Sequence, residues 1–209
     1  MSLDLWLTFV AASTALLIIP GPTVLLVLSY ALSQGRTVAV ASASGVALGD
    51  FVAMTASLLG LGALVLASAT LFTVLKWVGA VYLVWLGVKL IRSAGGATLT
   101  ELPETHRITP ARVFGHNAAV TALNPKSIAF FIAFVPQFLR PDQPLLPQFA
   151  ILIATFVTLA ALNALAYALL ADQLRARIAR PGTIGWLTRA GGVTLIGMGV
   201  LTATLRRAG

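Results

Sequence analysis

Asp50 and Lys126 are charged side chains set inside long apolar runs, Asp50 closing the segment GVALGD and Lys126 near the start of NPKSIAFFIAF. A lone charge in lipid costs several kcal/mol unless it is paired, hydrated or, for a carboxylate, protonated. Asp50 is therefore expected to exchange protons or to hold a substrate ammonium; a structural ion pair or a wet helix end is the plain alternative. Lys126 is expected to attract a substrate carboxylate or to neutralise Asp50, and its place mid-run argues against simple snorkelling. Two proline motifs accompany these charges, Pro20-Gly21-Pro22 and Asn124-Pro125-Lys126. Proline lacks an N–H and clashes with the carbonyl one turn back, so each motif leaves polar backbone groups without an intrahelical partner. Within a bilayer such groups persist where protein, water or a solute meets them.

Other polar residues offer less. Asn117, Gln137 and Asn163 could add hydrogen bonds to a cavity or equally tie helices together. Ala41, Gly45, Gly49, Ala53 and Ser57 recur every four residues and read as a packing stripe. Phe130, Phe134 and Phe138 share that spacing and are expected to face lipid or a neighbouring helix, not a substrate. The chain has no cysteine and two histidines far from any acidic cluster, so thiol chemistry, disulfides and a metal centre find no support, and no cofactor is expected. Ser13-Thr14 has no evident base beside it, and Gly197 with Gly199 lacks the strand-turn-helix context of a dinucleotide motif. An enzyme is not expected.

The elements that must position these residues follow from composition. Of 209 residues, 58% are hydrophobic and 10% charged, and the mean hydropathy is +0.95. Soluble domains carry about 25% charged residues, and a spanning helix uses about 20 apolar ones. The sequence predicts a single all-α membrane domain of six spans: an interrupted first span from Leu5 to Leu32, then Val38–Leu66, Leu71–Ile91, Val113–Leu139 interrupted at Asn124-Pro125-Lys126, Leu145–Leu170 and Trp186–Leu205. A cleavable signal peptide fits poorly, because no basic segment precedes the first apolar run. Residues 95–112 form the one long polar loop. Lys and Arg on alternating sides divide into nine (Arg36, Lys89, Arg92, Arg107, Arg112, Arg175, Arg177, Arg180, Arg189) against four (Lys76, Arg140, Arg206, Arg207), which places both termini outside the cytoplasm. The net charge of +8 thus reads as orientation in the bilayer and not as affinity for nucleic acid.

The chain also divides into two related halves, 1–94 and 113–209. GAVYLVWLGV, from Gly79 to Val88, and GGVTLIGMGV, from Gly191 to Val200, agree at five positions in ten, including Gly79/Gly191 and Gly87/Gly199. The two proline breaks each interrupt the first span of their half. Three spans per half is an odd number, so the halves are expected to insert as inverted repeats, whose broken helices point to a midplane binding site.

Pro20-Gly21-Pro22, GVALGD, KWVGAVYLVWLG from Lys76 to Gly87 and NPKSIAFFIAFVPQF from Asn124 to Phe138 resemble the LysE/RhtB family of amino-acid exporters over nearly the whole chain. The resemblance implies gradient-driven export of neutral, hydroxylated or basic amino acids or close derivatives from the bacterial cytoplasm, through the inner membrane. It places Pro20, Gly21, Pro22, Asn124, Pro125 and Lys126 at the family's motifs; Asp50 matches some members only. Asn117 is added as a candidate ligand and Asp50 as the candidate proton-coupling residue. The expected partners are an amino-acid substrate and the lipid bilayer, with a homodimer left open. A passive channel or an exporter of another solute is the rival, though a metal-cation exporter ought to show several buried carboxylates or thiolates.

Overall fold

The computed structural model describes residues 1–209 except 68, 95–107, 141, 172, 174–181 and 205–209. The polar loop's centre and the basic link holding Arg175, Arg177 and Arg180 lie outside the described residues. The elements are α1 (Leu3–Ile18), α2 (Pro22–Gln34), α3 (Ala39–Ala67), α4 (Ala69–Ser93), α5 (Pro110–Ala122), α6 (Pro125–Ala133), α7 (Leu145–Leu169) and α8 (Thr183–Thr204), with single 3-10 turns at Gly35–Val38 and Val135–Phe138. No strand occurs among the described residues.

Three helices start in the same way. Proline occupies the first helical position of α2, α5 and α6, where its missing N–H costs nothing and its fixed φ suits a helix. The residue before a proline is pushed out of the helical region: Thr109 and Asn124 are extended and accept a backbone N–H through their side chains. Ile19, before Pro20, is extended too (φ −73°, ψ 120°) and ends α1. Gly35, at φ 73°, turns the chain from α2 toward α3, a conformation that glycine adopts at little steric cost.

By length and composition, two described helical stretches can cross a membrane: Pro22–Gly62 (41 residues, mean hydropathy 1.5) and Leu145–Leu169 (25 residues, 2.2). The pair Pro110–Ala122 and Pro125–Phe138, bent by 45°, makes a third if taken as one span. Among the described residues, then, two stretches, or three with the bent pair, are long and apolar enough to cross, against the six spans expected from sequence. Pro22–Gly62 runs through the second part of the first expected span and most of the second, and α1, with 16 residues, is a shorter apolar helix.

α4 packs along α8, and α3 lies against both α5 and α7. The small-residue stripe makes the second contact. A Cβ on Gly49 would stand 2.6 Å from the Ala118 carbonyl and 2.7 Å from Thr121 Cβ, so α3 and α5 touch backbone to backbone. Overpacking of such a seam costs about 1–3 kcal/mol. Gly49→Ala is accordingly expected to lower thermal stability in detergent clearly more than Gly60→Ala, at a position with open space around it; equal melting shifts would contradict this packing. The phenylalanines turn out to face neighbouring helices and not lipid: Phe130 lies 5.3 Å from Phe134 and 5.8 Å from Phe156 of α7 between ring centroids, and Phe9 of α1 lies 5.2 Å from Phe138.

Two of the glycines matched between the halves hold matching contacts: Gly87 abuts Gly192 and Ile196 of α8, and Gly199 abuts Ala80 and Val84 of α4. The other pair differs, Gly79 of α4 facing Ala133 of α6 and Gly191 of α8 facing Ile19 at the end of α1.

Candidate functional site

The break after α1 removes donors in a defined pattern. In a continuous helix the carbonyls of Leu16 and Ile18 would accept from the N–H groups at positions 20 and 22, and both positions are proline. The last carbonyls of any helix need outside partners; here all come from the second half of the chain. Lys126 Nζ donates to the carbonyls of Leu16 and Ile19, each at 2.9 Å. Asn163 Nδ2 donates to the Leu17 carbonyl at 3.0 Å, and the Tyr167 hydroxyl to the Ile18 carbonyl at 2.6 Å. Four successive carbonyls are therefore capped by three side chains. The sign also fits. Lys126 sits in the first turn of α6, the wrong end of its own helix dipole for a cation, and is directed to the negative end of α1.

The second break is tied to the first through Asn124 and Thr23. Asn124 Oδ1 accepts the Lys126 backbone N–H at 3.0 Å, starting α6, while its Nδ2 donates to Thr23 Oγ1 at 3.0 Å. Thr121 Oγ1 reaches the same hydroxyl at 3.3 Å. Loss of a helix N-cap costs about 0.5–2 kcal/mol and loss of a hydrogen bond about 0.5–1.5 kcal/mol. Asn124→Ala should therefore destabilise the protein by about 2 kcal/mol in detergent unfolding, whereas Thr23→Ser, which keeps the hydroxyl, should melt with the parent; a silent Asn124→Ala would show that the two breaks are not joined this way.

Between the breaks lies a cavity lined by Leu17, Gly21, Thr23, Asp50, Asn124, Lys126, Ser127 and Asn163, with valines and alanines of α2, α3 and α7 completing the wall. About 30 Å³ of it is open to the centres of water-sized molecules, which admits a few waters and not an amino acid. Asp50 is 2% exposed and Lys126 7%, so both charges are removed from bulk solvent. Asp50 Oδ1 has no hydrogen-bond partner. α2 begins at the cavity with no side-chain cap, so its first turn offers backbone N–H groups and a positive dipole end. Lys126 Nζ spends two of its three donors on carbonyls and passes close over Gly21, where a Cβ would lie 3.3 Å from it.

Among the residues singled out from sequence, Gly21, Asp50, Asn124, Lys126 and Asn163 meet at this cavity. Pro20, Pro22, Pro125, Asn117 and Gln137 are not among its lining residues. The rings of Pro22 and Pro125 are exposed, and these prolines act by starting helices. Asn117 is buried against α3, donating to the Val113 carbonyl at 2.9 Å, and Gln137 donates to Thr202 Oγ1 of α8 at 2.7 Å. The backbone carbonyls that the Pro-Gly-Pro motif leaves without intrahelical partners are occupied by Lys126, Asn163 and Tyr167. Sequence reasoning missed Thr23 and Tyr167. Thr23 directly follows the Pro-Gly-Pro motif and carried a positional signal; Tyr167, a single hydroxyl in an apolar helix, carried a weak one.

Comparison with known proteins identifies the family. Residues 14–206 match the family described as LysE type translocator. The chain is 35% identical over 208 residues, covering all of both chains, to the homoserine/homoserine lactone efflux protein of Salmonella typhimurium. It is 33% identical to an uncharacterized membrane protein of Vibrio cholerae, over 99% of this chain and 100% of that one. It is 30% identical to the leucine efflux protein of an Enterobacter species, over 66% of this chain and 64% of that one. No solved structure matches the chain. With family motifs at both helix breaks and a match along nearly its whole length, the chain belongs to the LysE type translocator family.

Proposed function

We propose that this chain exports amino acids or close derivatives from the bacterial cytoplasm across the inner membrane, by alternating access and at the expense of the proton gradient. The observation that carries the proposal is the cavity at the junction of two broken helices, which holds one buried carboxylate, one buried ammonium and an uncapped helix start. That set complements a zwitterion. The substrate carboxylate would take the third donor of Lys126 and the N–H groups at the start of α2, close to Gly21 and Asn124; the substrate ammonium would face Asp50 Oδ1. Proton binding at Asp50 would then compete with substrate. The full-length relative that handles homoserine and its lactone and the leucine efflux relatives favour small neutral or hydroxylated cargo. In this proposal the halves are inverted repeats with both termini outside the cytoplasm. The matched contacts of Gly87 and Gly199 across α4 and α8 support it.

Proteoliposomes preloaded with unlabelled homoserine, leucine or lysine supply the test. Uptake of the labelled amino acid by counterflow should saturate with homoserine or leucine. Flux that rises linearly with concentration and shows no counterflow would instead mean a passive channel.

A further inference from the structure

We propose that Lys126, Asn163 and Tyr167 are positioning residues that form a releasable cap on the broken end of α1, and that the cap must let go before the cavity can widen to take cargo. The inference rests on the exporter proposal for its purpose, but not for its test. Three observations lead to it. The four carbonyls from Leu16 to Ile19 belong to the first half, and every side chain that meets them belongs to the second. Leu17, Lys126 and Asn163 also line the cavity, so the bonds that close the break lie in the wall of the site itself. The cavity as it stands holds only a few waters, and the wall with the fewest covalent constraints is the end of α1, where Ile19 and Gly21 are both extended and no regular helix links α1 to α2.

The chemistry of the cap suits a device that opens. Hydrogen bonds to helix-end carbonyls can be exchanged for water or for a substrate ammonium at small net cost, because each bond contributes little beyond the water it replaces. An apolar plug would not exchange in that way. Tyr167 is only partly buried, so water can reach its bond to Ile18 first. Asn163 and Lys126 lie farther inside, and the Lys126 ammonium, which holds two carbonyls, is the last and strongest member. Release of Lys126 would free its donors for a substrate carboxylate, which links the opening of the cavity to the filling of it.

The chain has no cysteine, so a single introduced thiol reports opening directly. Ala164 lines the cavity and is 3% exposed; A164C in proteoliposomes, treated with a small methanethiosulfonate reagent, should react slowly. Adding Y167F or N163L removes one donor each with little change of shape. Either should raise the reaction rate about fivefold, the change in open population that one net hydrogen bond carries. Met198 of α8 is buried at 6% exposure and does not line the cavity, and M198C serves as the second reporter. Unchanged labelling of A164C in both variants overturns the proposal, and so does equal acceleration of M198C, which would mean general loosening. Labelling needs no cargo. Acceleration at A164C in a protein without amino-acid counterflow would support the cap and overturn the exporter proposal; counterflow with unchanged labelling would do the reverse.

Discussion

Asp50→Asn is expected to abolish gradient-driven accumulation of substrate. Each pH unit across the membrane stores about 1.4 kcal/mol per proton, which is a factor of ten in concentration. A carrier moving one proton per substrate therefore sustains about a tenfold substrate ratio across a one-unit gradient. Asp50 is a buried carboxylate on α3, at the cavity and with an unpartnered oxygen, and in the proposed mechanism it is the group that would carry that proton. Its amide replacement has nearly the same shape and cannot take up or release the proton. The ratio should fall to one while exchange of labelled for unlabelled substrate continues at a reduced rate. The measurement is accumulation in proteoliposomes under an imposed pH gradient, with Asp50→Glu as the companion that keeps a carboxylate. Accumulation at the parent level in Asp50→Asn would remove Asp50 from coupling.

Lys126→Met should be the most destabilising change in the site. It withdraws the donors from the Leu16 and Ile19 carbonyls and leaves Asp50 without the opposite charge that shares its cavity. Leaving a buried charge uncompensated costs up to about 3–5 kcal/mol, the range for a broken buried pair. Combining Lys126→Met with Asp50→Asn takes away the surviving charge, so the double variant is expected to be more stable than Lys126→Met alone by about 1–3 kcal/mol, the usual range for coupled neighbours. Unfolding of the parent, the two single variants and the double variant in detergent closes that cycle. Strictly additive losses would mean that the two charges do not share a site. Lys126→Arg should transport less well than the parent, because the lysine tip passes close over Gly21 and the broader, planar guanidinium must leave the position from which the ammonium donates to the Leu16 and Ile19 carbonyls.

Much of the site was legible in the sequence because membrane burial makes charge conspicuous. Asp50 and Lys126 stood out against apolar neighbours, and both line the same cavity. The two proline motifs were legible as breaks, but their detailed meaning was not. Read as interruptions of one long helix, Pro22 and Pro125 were expected to contribute to binding; the structure shows them opening new helices, with their rings turned away. Asn-Pro and Thr-Pro are start signals, and the pair Thr109-Pro110 follows the same rule, which is why α5 begins at Pro110 and not at Val113 as expected. The fate of the freed carbonyls was out of reach. Their partners Asn163 and Tyr167 are separated from them by 146 and 149 residues, and no local pattern records a contact over that distance.

The capped end of α1 bears on the journey back. In the proposed antiport the leg without an amino acid carries a proton on Asp50, and a bare row of backbone oxygens beside the cavity would make that leg slow. Because the protein's own ammonium, amide and phenol already cover those oxygens, the leg would need no amino acid to cover them. One-way efflux would then wait on the proton alone and could approach the rate at which one molecule is swapped for another.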